Sequence, residues 1–197
     1  MSDGLTRCPW CEGVSDAYRA YHDLEWGVPA WDERHQFEFL ILEGAQAGLS
    51  WSTVLHKRDG YRKAFADFDP EKVARFTARK IDALTRNAGI IRNRLKIASA
   101  VTNARAFLEV QNTCGSFVEY IWSFVDGEPV QNAWRRQTEV PATSPVSDAI
   151  SKDLKQRGFK FVGSTIMYAH MQATGLVNDH LLGCYRHAEC RALTERH

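Results

Sequence analysis

No stretch of this 197-residue sequence approaches the ~20 apolar residues that a membrane span requires, and the opening Met-Ser-Asp-Gly-Leu-Thr-Arg-Cys contains no apolar core of a secretory signal. A cytoplasmic protein without membrane contact is expected. Cysteine is scarce and odd in number, at five, which argues against a disulfide scaffold and for metal binding or isolated buried thiols. Strand-type alternation is nearly absent. Phe159-Lys160-Phe161-Val162 is the one tempting stretch, and its flanking glycines fit a connector equally well. Internal repeats, low-complexity tracts and interdomain linkers are also missing, so one domain is expected over residues 1–197. A hydrophobic share of 44% with 25% charged residues excludes disorder as the default state.

Helical punctuation is plentiful. Phe37, Leu40, Ile41 and Gly44 recur at helical spacing between Glu33 and Ala47. Asp69-Pro70-Glu71 reads as an N-cap with proline at the first helical position. Thr77 is placed to cap a helix running to about Arg86. After Asn87-Ala88-Gly89 a second helix carries Ile97, Val101, Ala104 and Leu108 on one face. Ser147 and Asp148 open another helix with Ile150 and Leu154 inward, closed by Gly158. Residues 126–146, rich in Pro, Gln, Thr and Ser, read as an irregular loop. The fold class is all-α.

The net charge of +1 hides an asymmetry. Nine basic residues and one acid, Asp82, lie between Lys72 and Arg105, leaving 16 basic against 23 acidic residues elsewhere. A basic segment on an acidic body points to a polyanion, although a solvated helix face is the ordinary alternative. Within that segment, helix, Asn-Ala-Gly-Ile-Ile and helix succeed one another about residues 78–108. A glycine turn opening a helix can aim free amides at a phosphate, with positive φ expected at Gly89. Gly89 and Arg92 are the DNA-backbone candidates.

Two further groups carry chemistry. Cys8 and His22 lie near one end of the chain. His180 and Cys184 lie near the other, at a spacing that would put both on one face of a helix. Four such donors complete a tetrahedral zinc shell and leave no open position, so the ion would be structural and would staple residues of about 1–30 to those of about 165–197. Spacing alone leaves Cys11, His187 and Cys190 as rival ligands. The other group is Leu42-Glu43-Gly44-Ala45-Gln46-Ala47-Gly48-Leu49-Ser50-Trp51. Here Glu43 has apolar neighbours one turn away on either side, Gly48-Leu49-Ser50 ends the helix with Leu49 outward, and Trp51 follows. A carboxylate among rings suits a flat cationic heterocycle; a base in a duplex reaches such a pocket only by flipping out, with an apolar wedge filling the gap.

Together with Arg7-Cys8-Pro9-Trp10, Tyr21 to Pro29, Ala88 to Arg92, Arg157 to Gly163 and Gly175 to His180, these segments resemble the type I DNA-3-methyladenine glycosylases of the helix–hairpin–helix superfamily. The resemblance spans nearly the whole chain. It implies hydrolysis of the N-glycosidic bond of 3-methyladenine in double-stranded alkylated DNA, without strand cleavage; a monomer is the default expectation. It implies one zinc ion held by Cys8, His22, His180 and Cys184, a base pocket of Trp10, Tyr21, Glu43 and Trp51 with Glu43 as the catalytic group, and Leu49 as wedge. The Gly-Pro-Asp signature of many relatives in the superfamily is absent, in keeping with the type I branch. Cys11 beside Cys8, and Ala45 where glutamine is frequent, depart from the pattern. A zinc-stapled DNA-binding module without activity and a zinc hydrolase of small molecules are the competing readings. The first leaves Glu43 unexplained and the second requires an open metal position.

Overall fold

The computed structural model describes residues 4–194, and the outermost parts of the expected stapled lobe, 1–3 and 195–197, lie outside them. Helices dominate these residues: α1 (Asp16–Leu24), α2 (Glu33–Gln46), α3 (Trp51–Leu55), α4 (Arg58–Ala64), α5 (Pro70–Ala74), α6 (Ala78–Leu84), α7 (Arg94–Cys114), α8 (Phe117–Trp122), α9 (Pro145–Gln156), α10 (Ser164–Ala173) and α11 (Tyr185–Thr194). The expected all-α class holds. None of these helices is long and apolar enough to cross a membrane.

Local chemistry sets most boundaries. Asp69 caps α5 ahead of Pro70, Thr77 caps α6, and Asn93 caps α7 by accepting from the amides of Leu95 and Lys96. Helix α9 begins earlier than the sequence suggests. Its cap is Ser144, locked reciprocally with Ser147, and Pro145 opens the helix, so Ser147 sits inside the first turn. Gly158 follows α9 with a φ of +89°, as its expected capping role requires. The inward face of α7 holds Ile97, Val101 and Ala104, whereas Leu108 is only half-buried and Phe107 fills the core in its place. Residues 159–162 form a connector, with Phe161 at positive φ.

Helix α2 is the axis of the molecule. It is buried from Gln36 to Ala45 and packs against α7, α8 and α10, so a polar side chain on it is enclosed on most sides. The loop of residues 126–146 contributes a feature not expected from sequence. Val130–Gln131 pairs in parallel with Val177–Asn178, leading the chain directly into His180. A two-residue bridge carries no alternation to read.

Helices α6 and α7 and the turn between them form the expected helix–turn–helix. The turn differs from expectation at Gly89, whose φ is not positive. Its amide is not free for an outside acceptor but donates to Asn87 Oδ1 at 2.8 Å, and the nearby Ile91 amide donates to the Tyr61 hydroxyl at 3.3 Å. The glycine that the turn cannot replace is Gly60 on α4, where a Cβ would stand 2.1 Å from the Gly89 carbonyl oxygen. Lys57 Nζ also donates to the Ala88 carbonyl at 2.7 Å, so α4 holds the turn from below.

A ring-walled cavity and a thiol–imidazole cluster

Glu43 lies in the last two turns of α2, 3% exposed. It borders a cavity of about 200 Å³ whose walls are rings: Trp10, Tyr18, Tyr21, Trp26 and Trp51. Gln46, one turn along α2, and Gln137, Ala169 and Gln172 complete the lining. The four residues nominated for a base pocket, Trp10, Tyr21, Glu43 and Trp51, are thus brought together in one place. Tyr21 and Trp51 lie 5.2 Å apart between ring centroids, and both stack near Phe39, at 6.1 and 6.0 Å. Beneath Phe39 the Arg58 guanidinium sits 5.0 Å from the ring centre, clamped by Glu38 and Glu25 at 2.8 and 2.7 Å. This buried pair fixes the floor on which the rings rest.

Among the described residues nothing hydrogen-bonds the Glu43 carboxyl, and burial pushes it up from an ordinary 4.5 to about 8. The Trp51 Nε1–H is likewise buried without a partner among them. A buried indole donor left unsatisfied beside the cavity, next to a carboxyl that no described residue hydrogen-bonds, makes it a candidate binding site, because buried polar groups are otherwise almost always paired.

The chain leaves α2 through Gly48, at a φ of +76°, and turns out Leu49, 42% exposed, before Ser50 caps α3 and Trp51 re-enters the core. The α2 terminus is held by Lys96 of α7, whose ammonium donates to the carbonyls of Ala45 and Ala47 at 2.8 and 2.6 Å. A second cavity of about 190 Å³ opens between Leu49, Gly48, Thr165 and Ile166 and shares Glu43, Gln46 and Ala169 with the first. Gly89 and Arg92 are exposed on the helix–turn–helix and line neither cavity. Around that turn Arg79, Arg86 and Arg92 project into solvent without an ion pair among the described residues, while Arg94 is engaged by Asp82.

Cys8, His22, His180 and Cys184 also meet. All four are buried, and their donor atoms lie within 4.8 Å of one another. Cys184 Sγ is 3.5 Å from His22 Nε2 and 3.6 Å from His180 Nδ1, and Cys8 Sγ is 3.7 Å from His180 Nδ1. Zinc–sulfur and zinc–nitrogen bonds at a tetrahedral angle give sulfur–nitrogen edges of about 3.5–3.6 Å, close to these three distances. The outward nitrogens are occupied as well. His22 Nδ1 donates to Asp23 at 2.8 Å and His180 Nε2 donates to the Trp26 carbonyl at 2.8 Å, which leaves the inward nitrogens as lone-pair donors. Cys8 and Cys184 share one proton: contact with Cys8, then His180 and His22, holds the Cys184 thiol far below its usual range, while contact with Cys184 and burial push Cys8 up. Cys11 and Cys190 are buried but lie outside the four-residue group.

One expectation fails here. His180 and Cys184 are not on a helix but on the turn before α11, closed by the Cys184 amide donating to Leu181 O at 2.8 Å. The tight turn brings the donors together where a helical turn was expected to. The cluster abuts the cavity wall, since Trp10 packs on His22 at 5.0 Å and Trp26 on His180 at 4.6 Å. Gly27 lets this contact close, because a Cβ there would meet the His180 ring at 3.0 Å.

Sequence reasoning missed Tyr18, Trp26, Gln46, Gln137, Ala169 and Gln172 as lining. Tyr18 and Gln46 stand one helical turn from Tyr21 and Glu43 and were within reach of periodicity; the others come from distant segments with no local signal.

A carboxyl and a set of rings around a cavity of this size suit one flat heterocycle. Comparison with known proteins narrows the class. The family model for methyladenine glycosylase matches residues 10–187. The DNA-3-methyladenine glycosylase 1 of Escherichia coli (strain K12) is 50% identical over 180 residues, covering 91% of this chain and 96% of that protein. The DNA-3-methyladenine glycosylase of Haemophilus influenzae is 50% identical over 179 residues, with the same coverage. Among solved structures, a 3-methyladenine DNA glycosylase I at 50% identity superposes with a TM-score of 0.89, covering 91% of this chain and 98% of that one. The Staphylococcus aureus enzyme, described with the structural basis of its 3-methyladenine recognition, is 38% identical with a TM-score of 0.87, covering 89% of this chain and 94% of that one. The chain belongs to the methyladenine glycosylase family.

Proposed function

We propose that this enzyme hydrolyses the N-glycosidic bond of 3-methyladenine in alkylated DNA, with the ring-walled cavity receiving the extruded base and Glu43 as its recognition and catalytic carboxylate. The observation that carries this reading is the buried, unpartnered carboxyl of Glu43 facing a base-sized cavity.

Burial that moves Glu43 to about 8 leaves its charged form about 1.4 kcal/mol above the protonated form at pH 7. A neutral adenine offers no counter-charge and leaves that cost in place. A base methylated at N3 while still attached to its sugar is cationic, so its charge offsets the cost and lets Glu43 ionise against it. The same negative charge favours the positive sugar that develops as the bond breaks. Because the methylated base departs as a neutral molecule, little general-acid assistance is needed. Trp51 and Tyr21 supply stacking and cation–π attraction, and Trp10 closes the side next to the metal cluster. Hydrolysis by water without a lysine nucleophile leaves an abasic site on an intact strand.

On the DNA side, Leu49 projects beside the mouth of the second cavity and is suited to fill the gap in a double-stranded substrate. Gly89, Arg92 and the neighbouring free arginines are suited to hold a phosphate backbone, in the manner of a helix–hairpin–helix. Lys96 joins this region to the wedge turn, so backbone contact and wedge share one rigid support. The Cys8–His22–His180–Cys184 cluster suits one zinc ion in a structural role, since four protein donors fill a tetrahedral shell. When bound, the ion would neutralise two thiolates and brace the Trp10–Trp26 wall. A small-molecule zinc hydrolase lacks support because no position is left for water. The enzyme is read as a cytoplasmic monomer. Incubation with methylated duplex DNA, followed by chromatography of the released bases, tests the function: free 3-methyladenine with unbroken strands is expected, and no released base overturns it.

A further inference from the structure

Asp179 immediately precedes the cluster residue His180 and is 1% exposed, yet it takes no part in the metal group. Its carboxyl oxygens are saturated from four directions. Asn132 Nδ2 and Trp134 Nε1 donate to Oδ1 at 2.7 and 2.8 Å, and the Tyr168 hydroxyl and Gln172 Nε2 donate to Oδ2 at 2.7 and 2.8 Å. Of these four donors, Gln172 is the one that also lines the ring-walled cavity beside Glu43. An amide nitrogen has no lone pair to offer, and an amide oxygen facing Asp179 Oδ2 would be repelled. The orientation of the Gln172 amide is therefore fixed by chemistry: its NH2 belongs to Asp179 and its Oε1 is left over. No described residue donates to that oxygen. Its backbone is equally held, with Gln172 O accepting from the Gly27 amide at 2.9 Å.

We infer that Gln172 is a specificity-determining residue, presenting its amide oxygen to the base as a second acceptor beside Glu43, with Asp179 as the positioning residue that locks this orientation. This rests on the reading of the cavity as a 3-methyladenine receptor. A 6-aminopurine carries two N–H donors on its exocyclic nitrogen, and two acceptors match them. A 6-oxopurine presents an oxygen there, to which Gln172 Oε1 cannot donate. A site that leaves its polar groups unpaired against the wrong ligand discriminates far more strongly than a merely apolar pocket does. The cavity is thus set to select 3-methyladenine over 3-methylguanine, and a free rotation of the Gln172 amide, which would let its NH2 greet a 6-oxo group, is denied by Asp179.

The test is the ratio of the two bases released from one methylated duplex DNA by wild type and by Gln172→Met, which keeps the side-chain length but removes both amide atoms. Thermal midpoint and zinc content establish that the variant is folded. The 3-methyladenine to 3-methylguanine ratio should fall about tenfold, through a raised KM for the adenine lesion rather than a uniform loss of kcat on both. Gln172→Asn, which withdraws the oxygen by one methylene, should lower the ratio in the same direction and stands in if Gln172→Met does not fold. An unchanged ratio and KM in a folded variant, or equal losses on both bases, would overturn the inference while leaving the activity intact. Absence of 3-methyladenine release by wild type would instead overturn the underlying reading.

Discussion

Replacing Glu43 by glutamine separates stability from activity in a way that follows directly from burial. The folded-state value of Glu43 is raised, from 4.5 to about 8, by desolvation alone. A carboxyl raised on folding contributes stability that is fully present below pH 4.5 and is lost as pH climbs through about 8. At 1.36 kcal/mol per tenfold, wild type relative to a group that cannot ionise loses about 1 kcal/mol at pH 5, about 3 at pH 7 and about 4–5 at pH 8.5. Glu43→Gln cannot ionise, so its stability should overtake that of wild type as the pH rises. Whatever constant cost the buried amide adds does not change with pH, and zinc-dependent effects are shared by both proteins. Urea unfolding of both, zinc-loaded, at pH 5, 7 and 8.5 reads the difference as a slope. Stability curves that run parallel across this range would refute the claim that Glu43 is buried without a compensating partner.

Other expectations concern the walls, the metal and the hairpin. Trp51→Ala should weaken binding of free 3-methyladenine by ~1–3 kcal/mol, as measured by calorimetry, because one stacking face is lost. Elemental analysis of purified protein should give about one zinc per chain; Cys184→Ser should abolish it and lower the thermal midpoint, whereas Cys11→Ser should leave the zinc content unchanged. Gly60→Ala should weaken duplex binding with free-base affinity and zinc content retained, since its Cβ would drive into Gly89 O, 2.1 Å away, at a cost of ~1–3 kcal/mol in overpacking.

Helix boundaries were legible wherever one residue's chemistry decided them. Asp69 before Pro70 and Thr77 before α6 are local signals, and both caps stand where the sequence put them. Glu43 was legible because helical spacing alone surrounds it with apolar residues. The Cys/His cluster was legible as donors but not as geometry. The spacing of four from His180 to Cys184 fits a helical turn as well as the tight turn the chain adopts, and the choice between them rests on packing against Trp26 and Cys8. Gly89 was misjudged because its constraint is not its own φ but the approach of Gly60 from another helix. Gln172 was missed for a related reason: its role depends on Asp179, whose partners Asn132 and Trp134 lie in a loop with no periodic pattern. What a residue does to its own backbone is written locally, and what it does for a distant side chain is not.

The role proposed for Glu43 at the glycosidic bond is addressed most directly by paired rates on methylated duplex DNA. Wild type and Glu43→Gln, matched for duplex affinity, should differ by about 10²-fold or more in the rate of 3-methyladenine release. Equal rates from the two proteins would contradict it.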